Sequence, residues 1–207
     1  SDLVASLDIA NGIPSSVSVM LLEKDGQQLL FDGGNGNEDS RLLPHLQELG
    51  YAPSDIDAIF ITHLHGDHIG GLVKDNQPVF PQAKLYIPSV ELDAWTQAPN
   101  VQALVTAYGE NVVKFAIGDA LPCGVEAMAA YGHTPGHTIY RTEDKLIVGD
   151  IMHGLALQME HPDFCARFDM DHEKAIASRK AVLEQVKKEG WTMFGMHFPT
   201  AEGVKVE

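Results

Sequence analysis

The sequence predicts an α+β protein in which two β-sheets pack face to face with helices on the outside. Three observations carry this expectation. Strand-like runs dominate both halves of the chain, and helical stripes lie between them. The length of 207 residues, with 44% hydrophobic and 21% charged residues, suits one sizeable domain over residues 1–207 whose core needs no disulfide. The residues able to do chemistry adjoin strand-like runs, and strand ends of a sandwich converge on one edge.

Residues 17–22 (VSVMLL) and 28–32 (QLLFD) read as the first two strands, joined by a hairpin turn at Glu23-Lys24-Asp25-Gly26. The second strand runs into Asp32-Gly33-Gly34-Asn35-Gly36, where the glycines allow a sharp turn or a close backbone approach. Leu42, Leu43, Leu46 and Leu49 form a helical stripe within 38–49; Pro44 is tolerable in a first turn and Gly50 is the stop. Residues 58–61 (AIFI) and 84–87 (KLYI) are further strands. Ser89 is expected to cap a helix running to Thr96, Pro99 to break it, and 101–108 to form one more, with Trp95 and Tyr108 in the core or a pocket wall. Strand-like pieces follow at 112–116, 125–131, 137–142 and 145–149, the last two joined through Thr142-Glu143-Asp144-Lys145. Residues 171–189 make the strongest helix: Asp171 as N-cap, Ile176, Leu183 and Val186 on the buried face, Lys187 and Lys188 toward the C-terminal dipole, and Gly190 as the stop. A last strand from Trp191 to Gly195 delivers Met196 and His197.

The densest chemistry is FITHLHGDHIGG, residues 60–71, where His63, His65, Asp67 and His68 follow a strand within six positions. Imidazole nitrogens and carboxylate oxygens are what Zn²⁺ and similar ions bind, and four of them on one turn would repel or stay poorly satisfied without a cation. Three more regions adjoin strands: Gly132-His133-Thr134-Pro135-Gly136-His137-Thr138, Gly149-Asp150 and Met196-His197. A catalytic zinc takes three protein ligands, so the candidates here, at least seven, suffice for two ions.

The formal net charge of −15 repels a polyanion, which argues against nucleic acid as substrate. The two cysteines, Cys123 and Cys165, lack CxxC or zinc-finger spacing; a bridge between them stays open, and two buried free thiols are the favoured reading. No apolar run approaches a membrane span and no signal peptide is visible, so no membrane partner is expected. The chain opens at Ser1, as expected of one whose leader has been removed or whose start has been trimmed; the compartment stays open between cytoplasm and export. The oligomeric state is open too, a homodimer being one option.

The order HLHGDH, TPGHT, VGD and then a C-terminal His197, over residues 17–197, resembles the metallo-β-lactamase-fold hydrolase superfamily. The resemblance implies an αββα four-layer sandwich with a dinuclear site on its edge. Carried over by motif, His63, His65 and His137 would hold the first ion, Asp67, His68 and His197 the second, and Asp150 would bridge both. Two divalent ions are implied, with zinc favoured. Thr62, Asp32 and His133 would fix imidazole tautomers rather than bind metal.

The implied reaction is that of a metal-dependent hydrolase in which a metal-bridging hydroxide attacks a small ester. Asp67 and Asp150 would orient the nucleophile, and His153, three residues after Asp150, would reach the substrate or donate a proton. His65 in place of Glu disfavours the diiron flavoprotein oxidases, and Asp150 in place of Cys disfavours true β-lactamases. Glyoxalase II-like enzymes carry a basic C-terminal extension, whereas this chain ends ten residues after His197. The stretches Gly149–His153, Phe168–Asp171 and Met196–Pro199 are similar to the branch holding methyl parathion hydrolase and related lactonases. A small-molecule substrate is implied, with a lactone favoured. The alternatives are a phosphotriester, a phosphodiester, or the chemistry of an iron-dependent persulfide dioxygenase.

Overall fold

Alternation along the strands sorts the apolar side chains into three layers, and these fix where the two sheets and the helices lie. The structure, a computed structural model, describes residues 12–206. Its first sheet has the order β1 (Met20–Lys24), β2 (Gln27–Phe31), β3 (Ala58–Phe60), β6 (Lys84–Pro88) and β7 (Val112–Phe115). The β1–β2 pair is an antiparallel hairpin and the remaining pairs are parallel. The second sheet has the order β11 (Thr192–Gly195), β10 (Lys145–Gly149), β9 (Thr138–Thr142) and β8 (Glu126–Ala129). Here β10 and β11 are parallel and the other pairs antiparallel.

Successive strand residues face opposite sides of a sheet. Leu30, Ile59 and Leu85 therefore join Leu46 of helix α1 (Leu42–Glu48) and Val101 and Leu104 of helix α4 (Pro99–Tyr108). Their neighbours Leu29, Phe31, Ala58 and Phe60 meet Tyr140 and Ile147 between the sheets. Ile139, Leu146, Val148 and Met193 pack on Val182 and Val186 of helix α6 (His172–Glu189). The sequence of layers is α, β, β, α, as expected. Each of the buried Leu, Ile, Val, Phe and Met side chains among these contributes about 1.5–3 kcal/mol. The Phe31, Phe60 and Tyr140 rings, with centroids 5.4–5.6 Å apart, add about 0.5–1.5 kcal/mol per pair. The Tyr140 hydroxyl also donates to Ile61 O at 2.5 Å, tying the second sheet to the end of β3.

Several expectations are corrected. Ser89 is the first residue of α3 (Ser89–Ala94), one position too late to cap it; Pro88 is the N-cap and no side chain bonds there. Pro99 does not merely break a helix but opens α4 at its first position, where a missing N–H costs nothing. The buried face of α6 is Ala175, Arg179, Val182 and Val186, with Ile176 and Leu183 only partly buried. Asp171 does cap it, accepting from Lys174 N at 3.1 Å, and Gly190 ends it in the left-handed region. Cys123 and Cys165 are free but partly exposed. The β4–β5 pair (Val73–Lys74 with Gln77–Pro78) and helix α5 (Leu155–Glu160) were not anticipated, while the turn after β3 opens into the four-residue α2 (Gly66–Ile69). No helix of the described residues is long and apolar enough to cross a membrane.

The glycines after β2 serve a close approach of two backbones. A Cβ on Gly71 would lie 2.1 Å from Gly33 O, and one on Gly36 would lie 2.4 Å from Gly70 O. Gly33 N also donates to His68 O at 2.7 Å. The loop after β2 is thus locked onto the turn that carries the histidines.

Candidate metal centre

Five chain segments converge at one end of the sandwich: the loop after β2, the turn after β3, the loop before β9, and the residues after β10 and β11. In the parallel β10–β11 pair, Gly149 is in register with Gly195, which brings Asp150 and His197 out on the same edge.

Four imidazoles are anchored through Nδ1, and each turns Nε2 toward Asp150. His68 Nδ1 donates to Asp32 Oδ2 at 2.8 Å. Thr62 Oγ1 donates to the same carboxylate at 2.7 Å and so accepts from His63 Nδ1 at 3.1 Å. His133 Nδ1 donates to Asp169 Oδ1 at 2.8 Å. His197 Nδ1 donates to Ser16 O at 2.8 Å. Anchors of this kind set the tautomer that leaves a lone pair free for a metal. His65 instead presents Nδ1, 3.0 Å from both His63 Nε2 and His133 Nε2.

These atoms form two clusters in which every ligand atom lies within 4.8 Å of the others: His63, His65, His133 and Asp150; and Asp67, His68, Asp150 and His197. Asp150 is common to both. A third group, His133, His153 and Asp169, adjoins the first. The donor set fits divalent cations on a direct test. Buried His68 Nε2 and Asp150 Oδ1 face each other at 3.0 Å, yet neither has a hydrogen-bond partner among the described residues. Buried polar atoms without partners are costly unless a cation or water meets them.

Burial, then the neighbouring imidazoles, pushes the His63 pKa far down and that of His65 to about 4. Both are therefore neutral and able to bind metal. Burial also opposes charge on His68 and His197, but the carboxylates outweigh it. Asp150 and Asp32 raise the His68 pKa, and Asp150 and Asp67 raise that of His197 to about 10. Burial disfavours the Asp150 anion, yet His68, His133, His153 and His197 together hold its pKa well below the carboxylate range.

The structure brings six of the seven residues expected as ligands into these two clusters, and the seventh, His137, lies outside both. His137 donates through Nδ1 to Ala130 O and accepts through Nε2 from Asp150 N, both at 3.0 Å. Both ring nitrogens are spent on backbone and the ring is fully buried, so no lone pair remains for a metal. The expectation for His137 is corrected accordingly, and His133, expected only to support the site, occupies the place beside His63 and His65. His153 lies at the cluster, with Nε2 3.0 Å from Asp150 Oδ2 and its ring stacked 5.2 Å from His197. Three buried charged groups were not singled out as part of the site. Asp169 and Arg179 back His133. Glu91 accepts from Leu64 N, Thr134 Oγ1 and Gly136 N at 2.8–2.9 Å, clamping the two histidine loops together.

A cavity of about 590 Å³ opens over the cluster, lined by Ser15, His65, Gly66, Asp67, His133, Asp150, His153, Phe168 and His197. No lysine or arginine is among these lining residues.

An αββα sandwich carrying paired histidine and aspartate clusters on its edge defines a metal-site protein of one architecture. The family model of the Metallo-beta-lactamase superfamily matches residues 12–197, and the chain belongs to that superfamily. It is 27% identical over 176 residues to the N-acyl homoserine lactonase of Bacillus cereus, a match covering 82% of this chain and 67% of that protein. Among solved structures it is similar to AidC, a dizinc quorum-quenching lactonase in complex with a product, N-hexanoyl-L-homoserine. The TM-score is 0.86 at 28% identity, covering 92% of this chain and 75% of the other. The hydrolase AbOPH gives a TM-score of 0.88 at 25% identity, covering 99% and 80%. The chain spans between 21% and 67% of the length of the curated relatives it matches.

Proposed function

We propose that this chain is a dinuclear metal-dependent hydrolase of a small neutral ester, with a lactone as the favoured substrate. The observation that carries the reading is the pair of four-residue clusters sharing Asp150. His63, His65, His133 and Asp150 would hold one divalent ion, and Asp67, His68, Asp150 and His197 the other. Zinc is favoured because neutral imidazoles with few carboxylates suit it. The likeness to a dizinc lactonase supports the same choice. When bound, such a pair of ions supplies a water-derived nucleophile near neutral pH and polarises the substrate carbonyl.

The chain's own residues do the rest. Asp150, anchored from four sides, sets the spacing of the two clusters. Asp67 is 38% exposed and accepts from His197 Nε2 at 3.2 Å, so it faces the cavity and orients a water. His153 Nε2 holds a proton beside Asp150 and passes it to the leaving oxygen. Phe168, 54% exposed and 5.7 Å from the His153 ring, offers an apolar face to a substituent. The wall adds no lysine or arginine to the charge of the bound ions, so a β-lactam carboxylate or a phosphodiester would find no second anchor there, which supports a neutral substrate. A phosphotriester is neutral as well and is the second reading.

Removing metal by dialysis against a chelator is expected to abolish ester hydrolysis, and adding back two equivalents of Zn²⁺ to restore it. A panel of lactones, aryl esters, phosphotriesters, phosphodiesters and a β-lactam checks the substrate class. Activity only on the anionic members, or full activity in protein shown to be metal-free by elemental analysis, contradicts the proposal. His153→Ala is expected to lower kcat about 10²-fold with little change in KM, the usual contribution of a positioned proton donor. An unchanged kcat removes His153 from that role.

A further inference from the structure

Helix α6 lies behind the cavity, yet it buries a charged side chain that reaches the cluster from outside. Arg179 is fully buried. Its Nε donates to Ile151 O at 2.7 Å, its Nη1 to Pro162 O at 2.7 Å and Phe164 O at 2.9 Å, and its Nη2 to Asp169 Oδ2 at 3.3 Å. Asp169 is buried too, accepts from Ala166 N, and holds His133 Nδ1 at 2.8 Å. The backbone wraps the same histidine: Met170 N donates to His133 O and Asp171 N to Gly132 O. One guanidinium thus touches the residue that follows Asp150 and, through Asp169, the ring of His133.

Resting on the metal-site reading above, we propose that Asp169 and Arg179 are positioning residues for the ion at His63, His65 and His133. Asp169 keeps the His133 proton on Nδ1, so that Nε2 stays a donor to the metal. Arg179 fixes Asp169 and, by taking three loop carbonyls, holds the segment 151–164 against the site. A guanidinium suits this because its planar array of donors serves four acceptors at once, which a lysine ammonium cannot. A plainer role would be to staple the loop with no bearing on the metal. The bond from His133 Nδ1 to Asp169, the carboxylate that Arg179 also holds, separates the two, because a staple needs no contact with a ligand ring.

The test is a zinc titration of the whole chain against a chromophoric chelator, for the wild type, Asp169→Asn, His133→Ala and the double variant. The isosteric asparagine presents an amide where Arg179 and His133 both donate, so one of them loses its acceptor. The affinity of one of the two zinc steps is expected to fall about 10–100-fold in Asp169→Asn, with the other step unchanged. In the His133→Ala background the same change is expected to have no further effect, since the histidine it acts through is gone. Arg179→Lys is expected to weaken the same step. If Asp169→Asn binds both ions as tightly as the wild type, or weakens both equally in either background, the positioning role is overturned while the metal-site reading stands. If the wild type binds no zinc, that reading falls first.

Discussion

Replacing Asp150 by alanine is expected to lower kcat/KM by about 10³-fold or more and to reduce bound zinc below two per chain. Asp150 is the only residue common to both four-residue clusters. Its Oδ1 lies 3.0 Å from His68 Nε2, and its Oδ2 lies 3.0 Å from His153, 3.2 Å from His197 and 3.3 Å from His133. Any other ligand can be lost with one cluster left intact; loss of Asp150 opens both. Its charge also balances the crowded imidazoles, and without it they repel one another and a second cation alike. Asparagine keeps the volume and still coordinates weakly, so Asp150→Asn is expected to fall between the wild type and alanine. Rates on the preferred ester with elemental analysis of the same samples check this. A loss of less than tenfold with two ions still bound contradicts the role given to Asp150.

The fold was readable because its signals are local. Continuous apolar runs such as those in QLLFD and KLIVG mark strands buried on both faces, and the structure uses both faces of each. The turn HLHGDH was readable for the same reason, since spacing alone crowds its four donors together. Choosing between His133 and His137 was not a local question. Both lie in GHTPGHT, and motif matching selects whichever copy of the pattern is noticed. The backbone path decides: His137 enters β9, where its nitrogens meet Ala130 O and Asp150 N, while His133 stays in the loop facing the cavity. The face of α6 was misread because a hydrophobic pattern has no means of placing an arginine inside. Burial of Arg179 depends on four acceptors supplied by residues 151–169, outside the helix. Glu91 was invisible for a like reason, its three donors lying 27 to 45 residues further along or back.

Glu91 carries the largest expected effect on stability. Its carboxylate is wholly buried and accepts from Leu64 N, between His63 and His65, and from Thr134 Oγ1 and Gly136 N, beside His133 and His137. The contact is tight: a Cβ on Gly136 would lie 2.2 Å from Glu91 N. Alanine at 91 leaves two backbone N–H groups and a hydroxyl without an acceptor, at about 1–3 kcal/mol each. Relief of the carboxylate's burial, which pushes its pKa up against the pull of those donors, returns part of this. A net loss of about 4 kcal/mol follows, or roughly 8–16 °C in Tm for a chain of this size. Glutamine is expected to lose less than alanine but not to be neutral. Its amide oxygen serves one side, while its NH₂ meets the Gly136 N–H, donor against donor; the Thr134 hydroxyl can rotate away. Activity is expected to fall with stability in both variants, because the two histidine loops lose their common clamp and small misplacements are costly. Thermal unfolding of the metal-free variants separates the packing effect from metal binding. A Glu91→Ala protein melting within about 2 °C of the wild type would show that the three donors find other acceptors, and the clamp would have to be abandoned.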